Sequence, residues 1–134
     1  MKIDNNSIAI VCHYLMFLYS GIDKIINYNN KITNLKNILP KPLKNLNNWV
    51  YHFCIMISIL LLTIGSMLMI LDSLQINKLK PNFKKMIIKL FITWMIIVTV
   101  LIHHPFKKQK IPFLSNLSNI GGFIYMHENT CQQP

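Results

Sequence analysis

Ser20, Asp23, Lys24, His52, His103, His104 and Asn116 are the side chains of this sequence whose types could hold a polar ligand or move a proton. Each stands in or beside a long apolar run. An ionised group near membrane depth is costly unless paired or hydrated, so a carboxylate, an ammonium and imidazoles gathered there mark a candidate ligand site. A quinone headgroup would suit it. Its two carbonyl oxygens need donors such as Lys24 and a histidine, and its ring needs apolar walls such as Trp49 and Phe106. The plainer reading is that Asp23 and Lys24 pair at a helix end while the histidines bind water or headgroups. Haem is disfavoured, because His52 would have to oppose His103 or His104 across one macrocycle. No metal is expected, since His13 and His127 are two histidines without a third ligand. No residue is assigned a catalytic role, and the sequence carries no dinucleotide glycine loop, P-loop or catalytic serine motif.

The elements that must position these residues are apolar blocks. Residues 8–26, 49–71, 86–102 and 111–127 predict an all-α membrane protein, a four-transmembrane-helix bundle forming a single integral membrane domain over 1–134. A soluble core would scatter its apolar residues at helical or strand spacing between charges, whereas here they are segregated. Block 49–71 has no charge at all and is the strongest signal. In the third block Lys89 lies one turn inside and can snorkel to the interface. Alternating spans would bring the end of the first helix, the start of the second, the end of the third and the start of the fourth to one face. The candidate residues would converge there.

Between the first two spans, Tyr28, Ile32, Leu35 and Leu39 recur at helical spacing with asparagine and lysine opposite, which predicts an interfacial helix. Pro40 and Pro42 end it, and Trp49 and Tyr51 fall where an aromatic belt would lie. The fourth block is weakened by Ser115, Asn116, Ser118 and Asn119, but Ser115, Ser118 and the Gly121-Gly122 pair give it small residues on which another helix could pack. Cys54, Ser58 and Gly65 repeat the device in the second block. The first block carries His13, Tyr14 and Tyr19 and is read as a retained helix, not a cleaved signal.

Of the 134 residues, 52% are hydrophobic and 13% charged, with a formal net charge of +10. That charge does not point to nucleic acid, because nearly every lysine lies between the apolar blocks, where it would face phospholipid headgroups. All basic residues are lysine, which removes the bidentate arginine forks of specific phosphate recognition, and the bias toward lysine, isoleucine and asparagine is that of AT-rich coding. The expected partners are the lipid bilayer and other membrane subunits. Lysines are too evenly shared among the links to orient the termini. Cys12, Cys54 and Cys131 form no C-x-x-C pair; the first two are expected to be inert packing and the third to lie in a polar tail. Asn5-Asn6-Ser7 would be a glycosylation acceptor only on a luminal N-terminus.

The run Leu18-Tyr19-Ser20-Gly21-Ile22-Asp23-Lys24-Ile25-Ile26 resembles the first-helix signature of DoxX-like membrane proteins. His104-Pro105-Phe106 looks like that family's histidine-aromatic corner, and Asn116-Leu117-Ser118-Asn119-Ile120-Gly121-Gly122-Phe123 resembles its fourth-helix pattern. The three islands stand in the family's order and cover most of the chain. The resemblance implies four membrane helices and an accessory role beside membrane oxidoreductases that pass electrons to quinone, without implying one reaction. The competing class is a purely structural subunit of a respiratory, organellar or virion-membrane assembly. A trafficking receptor ranks below both, since the tail has no dilysine ending.

Overall fold

The computed structural model describes residues 5–40, 43–103 and 110–132. His104, with the rest of the His104-Pro105-Phe106 corner, and Pro42 lie outside the described residues, as does the side chain of Cys131. The described chain is helical, with no strand among the described residues: α1 Asn5–Ile26, α2 Tyr28–Ile38, α3 Asn48–Leu60, a π segment Leu61–Gly65, α4 Ser66–Ser73, α5 Pro81–Leu101 and α6 Lys110–Gln132. The chain divides into two compact units, Met1–Asn37 with Pro42–Leu79, and Ile38–Lys41 with Lys80–Pro134.

In the first unit α1 packs along the continuous helix made by α3, the π segment and α4. The pair is antiparallel, because Tyr28, just past the end of α1, bonds His52 in the first turns of α3. Tyr14 and Phe17 of α1 and Tyr51, Ile55, Leu62 and Met69 of the opposite helix are buried. Gly21 marks the closest approach: a Cβ built there would lie 2.7 Å from Thr63 Cγ2 and 3.1 Å from the Leu62 carbonyl carbon. The Thr63 hydroxyl donates to the Ile59 carbonyl at 2.6 Å, so the widened turn at the crossing keeps a local acceptor occupied. α4 ends in a Schellman motif. Ile76 N–H donates to Leu71 O at 3.0 Å and Gln75 N–H to Asp72 O at 3.0 Å. Gln75 is held in the left-handed region at φ 57°.

Two helices are long and apolar enough to cross a membrane, Ser7–Ile26 with 20 residues and Asn48–Ser73 with 26. At 1.5 Å per residue they reach about 30 Å and about 39 Å, against a hydrocarbon core of about 30 Å. They match expected spans 8–26 and 49–71. Their outward faces are apolar: Leu15, Met16, Ile22 and Ile25 on α1, and Phe53, Met56, Leu60, Ile64 and Met67 on the opposite helix, are all exposed. Helix α5 begins five residues before the expected 86–102 because Pro81 sits at its first position, where the missing N–H costs nothing. Lys84, Lys85 and Lys89 therefore fall in its first half and lower its hydropathy. The helix after the first span is present as α2; its stripe buries Ile32 and exposes Asn29, Asn30, Thr33, Asn34 and Asn37.

In the second unit α5 packs on α6. Phe91 and Phe123, both fully buried, stack with ring centroids 5.0 Å apart. Helix α5 buries Ile87, Ile88, Phe91, Met95 and Thr99, one stripe at helical spacing.

Candidate functional site

The end of α1, the start of α2 and the start of α3 carry a run of polar contacts at one end of the first unit. Lys24 Nζ donates to Ser20 Oγ at 2.8 Å and to the Ser20 carbonyl at 3.3 Å, one turn back on its own helix. Asp23 does not pair with Lys24 as a helix-end couple. Its carboxylate pairs with Lys31 and accepts from Asn27 Nδ2 at 2.7 Å. Residues 23, 27 and 31 are spaced by four, and the backbone bond from Lys31 N–H to Asn27 O carries the helical register across the break. The ion pair is about one-third exposed on both sides, so solvent screening keeps its net contribution to stability small.

His52 Nδ1 and the Tyr28 hydroxyl lie 3.0 Å apart, with the rings 5.7 Å apart and tilted by 40°. Lys36 Nζ donates to Asn48 Oδ1 at 2.8 Å and stands 5.3 Å from the centre of the Tyr51 ring. The Tyr51 hydroxyl is shared between the carbonyls of Leu43 and Lys44, both at 2.9 Å, which fastens the turn before α3. Tyr51 is buried and Trp49 is exposed, so of the two expected belt aromatics Trp49 presents its ring outward.

Of the expected site residues, Ser20 and Lys24 touch, Asp23 turns to Lys31, and His52 turns to Tyr28. Lys24 directs two contacts to Ser20, and an ammonium carries three N–H donors. His103 and Asn116 belong to the second unit. The His103 N–H bonds the Val98 carbonyl at 3.2 Å just past α5, and Asn116 Nδ2 is buried without a hydrogen-bond partner among the described residues. Asn27, Lys31, Tyr28 and Lys36 were not among the expected site residues. The four-residue spacing of Asp23, Asn27 and Lys31 is the signal that could have found Asn27 and Lys31, whereas the partners of Tyr28 and Lys36 lie on a different helix.

The small-residue positions separate by helix. Ser58 and Gly65 are buried and Cys54 is half-buried, with the Ser58 hydroxyl donating to the Cys54 carbonyl at 2.9 Å. On α6, Ser115, Ser118 and Gly121 are exposed and Gly122 is half-buried, while the side turned to α5 carries Phe123. A Cβ at Gly121 would meet nothing within 4 Å. Cys12 lies exposed on α1 instead of packed inside it, and Cys54 is half-buried; both are free thiols. Comparison of the chain with family models, with curated proteins and with solved structures gives no match.

Proposed function

We propose that this chain is a multi-pass integral membrane protein of the DoxX-like four-span kind, working as a non-catalytic accessory subunit whose Ser20–Lys24 corner takes a quinone or lipid headgroup. The observation that carries the membrane reading is the pair of antiparallel helices, each long enough to span, whose outward faces are leucine, isoleucine, methionine and phenylalanine. In water such contiguous apolar surface drives association, whereas in lipid it is the normal exterior. Helices α5 and α6 supply the remaining two spans in this reading, with Lys84, Lys85 and Lys89 snorkelling to one interface. The corner is supported by the Lys24 ammonium, half-buried at the end of a span, which directs two contacts to Ser20 and carries three N–H donors.

A purely structural subunit is the second reading, favoured by the way Asp23, Asn27, Lys31, Tyr28 and His52 satisfy one another. The two separate in one experiment: tagged protein is purified from its native membrane in mild detergent, and co-purifying proteins, lipids and quinone are identified by mass spectrometry and optical spectrum. The accessory reading expects a quinone or a defined lipid with the wild type, reduced at least about tenfold by Lys24→Ala, as loss of one charge-assisted hydrogen bond of about 1.5–3 kcal/mol implies. Insertion and co-purifying subunits stay unchanged. Equal loss of assembly and ligand would leave the structural reading standing.

A further inference from the structure

Where α1 stops and α3 starts, the first unit is short of carboxylate. From Lys24 to Leu71 the sequence holds no acidic residue, which leaves Asp23 to answer the lysines at this end of the unit. Asp72 stands at the far end of the α3–π–α4 helix, about 36 Å from Asn48 at 1.5 Å per residue, and Asp4 precedes the start of α1 in the sequence. Asp23 is itself taken up by Lys31 and Asn27. Lys24 and Lys36 make their contacts with neutral groups, the Ser20 hydroxyl and carbonyl in one case and the Asn48 amide oxygen and Tyr51 ring in the other. Lys44 is exposed in the turn before α3. The whole sequence sets four acidic side chains against fourteen lysines, so most of its positive charge has to be met from outside the chain.

Apolar side chains surround the same end. Ile22, Ile25 and Ile26 on the last turns of α1 are exposed, and so are Trp49 and Phe53 on the first turns of α3, with their ring centroids 6.3 Å apart. A free phosphate or a nucleic acid would answer the ammonium groups and leave this apolar surface in water. A quinone would accept a hydrogen bond but bring no negative charge. A phospholipid with a net negative headgroup answers both, its phosphate and carboxylate taking the ammonium groups and its acyl chains lying against the isoleucines, Trp49 and Phe53. We infer that this end of the first unit is a binding site selective for anionic phospholipid over zwitterionic phospholipid. The inference rests on the membrane reading above and narrows the ligand of the Ser20–Lys24 corner to a lipid of that charge.

The chain has two tryptophans, so Trp94→Phe leaves Trp49 as a fluorescent reporter at the site. The full chain carrying that change is reconstituted in phosphatidylcholine vesicles with a minor fraction of brominated phosphatidylserine or brominated phosphatidylcholine, and quenching of Trp49 is read. The apparent binding constant for phosphatidylserine is expected to be at least about threefold that for phosphatidylcholine, since each lysine near an anionic surface can contribute up to about fivefold. Adding Lys24→Gln, Lys36→Gln and Lys44→Gln together should remove more than half of that preference. Adding Asp23→Asn instead should raise it, because Lys31 then also lacks a carboxylate, and a gain of this kind is not what a damaged fold would give. Near 1 M salt, where screening shortens to about 3 Å, the reporter chain's preference should fall toward unity. Equal quenching by the two lipids, a preference unmoved by salt, a triple-glutamine variant with full preference, Asp23→Asn without a rise, or displacement of the lipid by inorganic phosphate at matched ionic strength would overturn the proposal while leaving the membrane reading intact. Absence of quenching by either lipid would overturn both.

Discussion

Gly21 and Gly121 are both helical glycines, and their surroundings predict opposite outcomes for one substitution. Alanine improves helix propensity by up to about 1 kcal/mol at either position. At Gly21 the new methyl would meet Thr63 Cγ2 at 2.7 Å and the Leu62 backbone at 3.1 Å, and a β-branched side chain beside main chain has little room to retreat. Overpacking of this kind costs about 1–3 kcal/mol, so Gly21→Ala should lower the unfolding midpoint in detergent. Gly121→Ala, with nothing within 4 Å, should raise the midpoint through a stability gain of about 0.5–1 kcal/mol. Residue types alone do not tell these glycines apart, because the distinction depends on which turn of a distant helix lies opposite. The partners of Asp23 show the reverse. The adjacent Lys24 is the tempting choice, but neighbours on a helix point about 100° apart, and the four-residue spacing to Asn27 and Lys31 was already legible.

At the scale of elements, the boundaries of the long apolar helices were readable because charge and proline frame them. The π segment was not. Residues 49–71 look like one uninterrupted span, and the widened turn at Leu61–Gly65 coincides with the tertiary contact that Gly21 makes. The packing side of α6 was also hidden, because Ser115, Ser118 and Gly121 suit a helix interface chemically while the α5 contact is governed by a buried aromatic pair. Phe91→Ala and Phe123→Ala in a double-mutant cycle should therefore show a coupling of about 0.5–1.5 kcal/mol in detergent unfolding, the range for stacked rings. Additive losses would mean the rings do not act together. The end of α4 carries a second prediction. Gln75 adopts φ 57° in a Schellman motif that glycine fills without steric cost, so Gln75→Gly should stabilise the protein by about 1 kcal/mol, read as a raised unfolding midpoint.

For the whole molecule, helical content and two membrane-length helices follow from apolar blocks that a soluble sequence would not segregate. The proposed third and fourth spans carry less information, since lysines in the first turns of α5 and polar side chains on α6 dilute the hydropathy by which a span is recognised. The four-span topology is thus the central claim, and labelling with a membrane-impermeant maleimide tests it most directly. Single cysteines are placed at Asn45, Asn77 and Gln109 in a variant lacking Cys12, Cys54 and Cys131. Four spans predict that position 109 labels from the same side as position 45 and opposite to position 77. If only the first two long helices cross, position 109 will label from the side of position 77, and the four-span account will be contradicted.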